Sequence, residues 1–334
     1  MRLPSGGCMV GNLTIQPPTV MSANSETPRR CPQSGILHRW STPGGLAEGQ
    51  SVPSALFFIN GIGLDLEGFQ DAIQALEKAP ARYPYRNGYH VTMTVPGFED
   101  GGEPSPHPPY SMTEQAQRIA VFMEAFLMQH PAKEVVLYGF SFGSDLAVEV
   151  LACLGTRLPI SRVVLTELNV HLQSCFITSR ITAAFAAARG QGSTRNLEAY
   201  KGFVSRVVKA SAEGRLTASL MKDMVLYFRA IAQKDWAQLA QSAREASADP
   251  ELRVARLMEI TAQATQTRFD LFFSDPQDLR LFRRRLETWG GPLGQIHVFD
   301  ATAHEHFHHL GASGVLENLG GWLREVASSP GTPP

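Results

Sequence analysis

The stretch Val135-Val136-Leu137-Tyr138-Gly139-Phe140-Ser141-Phe142-Gly143-Ser144-Asp145 decides how the rest of the chain is read. Its first four residues form a short apolar run of the kind that fills a parallel strand covered on both faces. The chain then passes through Gly-x-Ser-x-Gly. Beyond it, Ala147, Val150, Leu151 and Leu154 recur at the spacing of a helix with one buried face, and Gly155 stands where a C-terminal cap belongs. Strand, sharp turn and helix together spell a nucleophile elbow. Gly139 and Gly143 lack a Cβ, so the strand can turn abruptly with Ser141 Oγ at the tip. The Phe142 N–H, at the helix start, is then aimed at an oxyanion beside Ser141.

Working upstream, Ala55-Leu56-Phe57-Phe58-Ile59 is a second all-apolar run, opening into Asn60-Gly61-Ile62-Gly63. In a doubly wound sheet, loops at the carboxyl ends of neighbouring strands gather at one crevice. This glycine loop is therefore expected to face the elbow and to form the oxyanion hole with Phe142 through Gly61 and Ile62, the second amide being that of Ile62. Leu37 to Ser41 reads as a short edge strand, and residues 89 to 95 as a further strand closed by Pro96-Gly97-Phe98. Ser111-x-x-Glu114 reads as a capping box before the stripe Ile119, Phe122, Met123, Phe126, Leu127. The repeated strand, loop and helix imply a mostly parallel sheet with helices on both faces.

Downstream, Arg162 to Thr166 is another buried strand. From residue 168 to 267 helical stripes take over, among them Leu220, Met224, Tyr227, Phe228 and Ile231. The sheet resumes at Phe269 to Phe273, turns at Ser274-Asp275-Pro276-Gln277-Asp278 into a helix, and ends with Ile296 to Phe299. Asp300-Ala301-Thr302-Ala303-His304-Glu305-His306 follows, and a last helix carries Leu316, Leu319, Leu323 and Val326. The expected organisation is a tail over 1–34, a core over 35–167 and 268–327, an inserted all-helical cap over 168–267, and a C-terminal tail over 328–334. Met21 is a second candidate start.

Composition bounds the partners. The chain has 334 residues, a formal net charge of −1 and a charged fraction of 18%, so no basic field attracts nucleic acid. Cys8, Cys31, Cys153 and Cys175 show neither CxxC nor regular spacing, which suits free thiols in a reducing compartment. No window approaches the roughly 20 apolar residues of a membrane span, and no secretory signal opens the chain. The expected address is cytoplasmic. No Asp, Glu or Cys recurs at ligand spacing beside the late histidines, so neither metal nor cofactor is called for.

These features together make the chain resemble the α/β-hydrolase fold superfamily over residues 35 to 327. The matching pieces are the Asn-Gly-Ile-Gly loop, Val95-Pro96-Gly97-Phe98, the elbow at Ser141, the helical insertion, an acid turn and a late histidine. Asn60 stands where the family usually has histidine, and Phe98-Glu99-Asp100 lacks the family's second glycine. A neutral serine needs a base within hydrogen-bond reach, and a carboxylate must fix the imidazole tautomer. The resemblance implies nucleophile, acid and histidine in that chain order. It favours His304 as base, with His306 as rival. Asp275 is the favoured acid, with Asp278 and, after the preceding strand, Glu167 as alternatives; Asp275-Pro276 also reads as a helix cap.

The resulting expectation is a serine hydrolase that cleaves an ester or thioester of a largely apolar acyl substrate, free or carrier-bound, through an acyl-enzyme on Ser141. Substrate contacts are expected from Asn60 and Phe140 beside the nucleophile and from Phe176, Met224, Tyr227 and Phe228 on the cap. An acyltransferase or cyclising thioesterase would use the same triad with water excluded. A ligand-binding protein on the same fold, with vestigial turnover, is the reading from a different class.

Overall fold

The computed structural model describes residues 27–41, 51–79, 83, 85–99, 107–214, 218–292, 294–301 and 314–319. One sheet carries the strands β1 (Arg29–Arg30), β2 (Leu37–Ser41), β3 (Val52–Ile59), β4 (Tyr89–Met93), β5 (Ala132–Phe140), β6 (Ile160–Thr166), β7 (Arg268–Phe273) and β8 (Gln295–Asp300). Their spatial order is β1-β2-β4-β3-β5-β6-β7-β8. From β4 to β8 all pairs are parallel, and β2 alone runs against the rest, pairing antiparallel with both β1 and β4. The order reverses between β3 and β5, and the crevice at such a switch point is where an open α/β sheet binds its ligands.

The helices are α1 (Gln70–Lys78), α2 (Met112–Gln129), α3 (Phe142–Leu154), α4 (Phe176–Ala187), α5 (Gly192–Ala212), α6 (Ala218–Ile231), α7 (Trp236–Ala248), α8 (Pro250–Gln263) and α9 (Pro276–Thr288). Residues 314–319 are also helical. Because successive strand residues point to opposite faces, each central strand feeds two cores. Phe57, Val91, Leu137, Val163 and Leu271 enter one, which α2, α3 and α8 cover; Leu56, Phe58, Val136, Tyr138, Val164 and Phe272 enter the other, with Phe69, Leu76, Val315 and Leu319. The sheet is thus doubly wound.

Ser111 closes the expected capping box at α2: its side chain accepts from the Glu114 N–H while the Glu114 carboxylate accepts from the Ser111 N–H. Gly155 ends α3 at φ 53. Five consecutive helices, α4 to α8, separate β6 from β7. Of these, α4, α5 and α7 pack on one another, whereas α8 returns along α3. Within the 168–267 block, α8 therefore serves the sheet as the crossover helix, and α4 to α7 make the excursion away from it.

At the N-terminal end, residues 29–34 were expected in the tail but belong to the sheet assembly. Arg29 and Arg30 pair with His38 and Leu37, Cys31 and Ser34 are buried, and Arg30 makes a two-point ion pair with Glu99 at 2.9 Å on each arm. Backbone pairing and this fork-to-carboxylate contact order the segment without any apolar periodicity.

Candidate active site

The apolar strand β5 ends in a serine whose backbone is forced. Ser141 has φ 52 and ψ −122, in the left-handed region that side-chain-bearing residues rarely occupy. Neighbouring strands hold it there. The Ser141 N–H donates to the Thr166 carbonyl at the end of β6 (2.8 Å), and the Ser141 carbonyl accepts from the Ser144 N–H (2.8 Å) and the Asp145 N–H (3.3 Å). Ser144 Oγ bonds both the carbonyl and the N–H of Thr166. The turn needs its glycines: a Cβ on Gly139 would stand 2.6 Å from the Gly143 carbonyl oxygen, and one on Gly143 would stand 2.1 Å from the Ile59 carbonyl oxygen. The second distance also brings the two glycine loops into contact, since Ile59 ends β3 where the Asn60 to Asp65 loop begins. Ser141 is half-buried, with Phe142 fully buried behind it.

In that loop Leu64 N–H donates to the Gly61 carbonyl (3.1 Å), with Gly63 at φ 74. The turn has Ile62 and Gly63 at its centre. Neither the Ile62 N–H nor the Phe142 N–H donates to a backbone carbonyl among the described residues. Asn60 is fully buried and its side-chain NH2 donates to the Asp65 carbonyl, bridging the loop's two ends. Gly61 lies against the Phe140 ring, which a Cβ there would meet at 3.2 Å.

The three candidate carboxylates occupy different settings. Asp275 is exposed and accepts from the Gln277 N–H (2.6 Å), capping α9. Asp278 is buried, and its Oδ1 lies 2.7 Å from His171 Nε2. Glu167 is 7% exposed and sits at φ 58 immediately after Thr166, whose carbonyl holds Ser141. Its N–H donates to the Phe272 carbonyl (3.0 Å) and its Oε1 accepts from the Ser274 N–H (3.0 Å), so it is fixed where β6 and β7 end. Both candidate bases, His304 and His306, lie outside the described residues.

Of the expected substrate contacts, Met224, Tyr227 and Phe228 are buried and join the core that holds Phe57 and Leu137, with the Phe203 ring 6.1 Å from that of Tyr227 and 5.8 Å from that of Phe228. Phe176 is half-buried, with the Arg180 guanidinium 3.5 Å over its ring. The inserted helices reach the glycine loop directly. A Cβ on Gly63 would meet Ile231 at 2.7 Å and Leu239 at 3.1 Å, and the Tyr227 hydroxyl donates to the Ile62 carbonyl at 2.8 Å.

Sequence reasoning missed a buried polar cluster one turn past Ser141. Asp145 accepts from the Asn169 N–H (3.3 Å) and from the Asn169 side chain, and Arg253 Nη1 lies 3.5 Å away. Burial pushes the Asp145 carboxyl up to about 6, with Arg253 and Asn169 only partly opposing it. The available signal was an acid in an otherwise apolar helix start. Burial also pushes the nearby Cys175 thiol up to about 11, so it is no rival nucleophile at neutral pH. Among the described residues no cluster of three His, Cys, Asp or Glu could hold a metal, and no helix is long and apolar enough to cross a membrane.

Comparison with protein families matches residues 56–317 to the alpha/beta hydrolase family. A search of curated proteins found no match. Among solved structures the chain is similar to MenH from S. aureus, at 15% identity and a TM-score of 0.56 over 87% of this chain and 99% of that one. It is also similar to a carboxylesterase of the thaumarchaeon Nitrososphaera gargenis (13% identity, TM-score 0.54, 90% and 99% covered). A third is the peroxisomal alpha-beta-hydrolase Lpx1 from Saccharomyces cerevisiae (12% identity, TM-score 0.51, 95% and 89% covered). At these identities the likeness shows the fold.

Proposed function

The chain belongs to the alpha/beta hydrolase family, and on that footing we propose that it is a serine hydrolase cleaving an ester or thioester with a largely apolar acyl group. The observation that carries this reading is the half-buried Ser141, held at φ 52 at the end of β5. Ser141 Oγ attacks the acyl carbon as its proton passes to a histidine, and the carbonyl electron pair moves onto oxygen. The amides of Ile62 and Phe142, which donate to no backbone carbonyl among the described residues, stabilise that oxyanion. Collapse breaks the bond to the alkoxide or thiolate, which takes the proton from the histidine. Water then attacks the acyl-enzyme by the same steps, releasing the acid and restoring Ser141.

His304 is the proposed base and His306 the second choice. The Ala301 N–H is bonded to the Phe273 carbonyl at 2.9 Å, one residue before Ser274, whose N–H donates to Glu167. For the acid, Glu167 is preferred over Asp275 and Asp278. Its carboxylate is buried between β6 and β7, whereas Asp275 is engaged as an exposed helix cap and Asp278 with His171. An apolar acyl group is supported by Ile231 and Leu239 over Gly63 and by Phe140 beside Gly61. The inserted helices α4 to α7 act as the cap.

The test is intact-protein mass spectrometry after a fluorophosphonate probe. The wild-type chain should gain one adduct, and Ser141→Ala none while keeping its far-ultraviolet circular dichroism. An unlabelled wild-type protein, or equal labelling of both, would remove this function.

A further inference from the structure

Besides the ion pair of Lys234 with Asp65 (3.7 Å), the glycine loop carries two contacts from the inserted helices, and one is directional. Tyr227 on α6 donates its hydroxyl hydrogen to the Ile62 carbonyl at 2.8 Å. Both residues are buried, and burial pushes the phenol's ionisation well above its ordinary range, so it remains a donor at any working pH. The accepting carbonyl belongs to the Ile62–Gly63 peptide, the central peptide of the turn closed by Leu64 N–H and the Gly61 carbonyl. With Gly63 at φ 74 the turn matches type II; its type I counterpart differs by rotation of that same peptide. A glycine at this position enters either arrangement at little cost, so the loop's own sequence leaves the choice open. The Tyr227 hydroxyl makes it.

We propose that Tyr227 is a positioning residue: from the inserted helices it anchors the carbonyl of Ile62, fixing the Ile62–Gly63 peptide directly and, through the turn so locked, the Ile62 N–H on the preceding peptide, so those helices hold the oxyanion loop as well as cover it. This rests on the serine-hydrolase reading above. The second contact agrees with it, since Ile231 and Leu239 close over Gly63 with no room for a Cβ, keeping the turn pressed beneath α6 and α7. Packing alone does not orient a peptide; the hydrogen bond does.

The experiment compares wild type, Tyr227→Phe and Phe203→Leu in the rate of fluorophosphonate labelling and in hydrolysis of p-nitrophenyl butyrate. Tyr227→Phe keeps the ring that packs 6.1 Å from Phe203 and removes only the hydroxyl. Labelling rate and kcat should each fall roughly 10-fold or more with KM within about twofold, as expected when an oxyanion donor is mispositioned. Phe203→Leu trims the packing and keeps the hydroxyl; it should lower Tm and leave the labelling rate unchanged. Equal losses in the two variants, an unchanged kcat in Tyr227→Phe, or a rise in KM alone would overturn the proposal. If wild type itself takes no label, the fault lies with the hydrolase reading. Hydrogen exchange of the wild-type chain in mild denaturant supplies a measurement independent of any variant's folding. Peptides covering 60–65 and 224–231 should gain deuterium together; exchange of 224–231 well ahead of 60–65 would equally overturn it.

Discussion

Glu167 adopts φ 58, a conformation that costs a side-chain-bearing residue on the order of 1 kcal/mol or more and persists only where the surroundings impose it. Here Phe272 and Ser274 impose it, through the residue's N–H and its Oε1. If this carboxylate fixes the histidine tautomer, Glu167→Gln should lower turnover of a nitrophenyl ester by up to ~10⁴-fold with a small change in Tm. Asp275→Ala should instead cost about 1 kcal/mol of stability through the lost α9 cap and spare most of the activity. Steady-state rates beside thermal melts separate the two, and the opposite ranking would return the acid to Asp275. The contrast explains what was legible in the sequence. Ser141 is announced by the contiguous stretch Val135 to Asp145, whose pattern is local, whereas the setting of Glu167 depends on Ser274, 107 positions away.

At the scale of elements, the elbow and the glycine loop touch through Gly143. A Cβ there would stand 2.1 Å from the Ile59 carbonyl oxygen and 2.6 Å from that of Asn60, both backbone atoms that cannot swing aside. Gly143→Ala should therefore push β3 and α3 apart, lowering Tm by several degrees and cutting probe labelling at least ~10-fold. Gly155→Ala is the comparison: at φ 53 with nothing within 4 Å of the added carbon, it should cost about 1 kcal/mol of stability and leave labelling intact. Chemical denaturation and labelling of both variants decide this. The central strands were readable because each is an uninterrupted apolar run bounded by turn residues, as at Ala55 to Ile59. β1 was not, because Arg29–Arg30 has no pattern of its own and is ordered by Leu37, His38 and Glu99. Nor could helical periodicity alone separate α8, which lies on α3, from the helices of the excursion before it.

Across the whole molecule, Asp145 joins α3 to Asn169 on the segment after β6 and to Arg253 on α8, which in turn donates to the Ala246 and Glu245 carbonyls of α7. Desolvation, with a smaller contribution from Glu149 in the same direction, outweighs Arg253 and Asn169 and raises its carboxyl from 3.8 to about 6. With the folded value above the unfolded one, the native state binds this proton more tightly. Stability from this group is present at low pH and is lost as pH rises through that interval. The stability of wild type relative to Asp145→Asn should thus fall by up to about 3 kcal/mol between about pH 4 and pH 6.5, as read from urea denaturation at each pH. A difference that grows with pH would mean that Arg253 dominates and the carboxylate is ionised throughout.

The hydrogen bond from Ser274 to Glu167 also bears on the order in which the chain folds. It joins residues 107 positions apart, and the pairings of β6 with β7 join residues 106 apart (Arg162 with Arg268), so both carry a larger chain-closure cost than shorter-range contacts do. The sheet from β2 through β6, together with the elbow, can assemble from nearer neighbours while α4 to α8 are still finding their places. Ser141 then stands in its turn before the Glu167 carboxylate is clamped by Ser274. If Glu167 is the acid, as proposed, catalytic competence should be among the last properties a refolding molecule acquires, so recovery of turnover should lag recovery of the sheet's circular dichroism, and species halted before β7 docks would carry Ser141 in its turn without the clamped carboxylate.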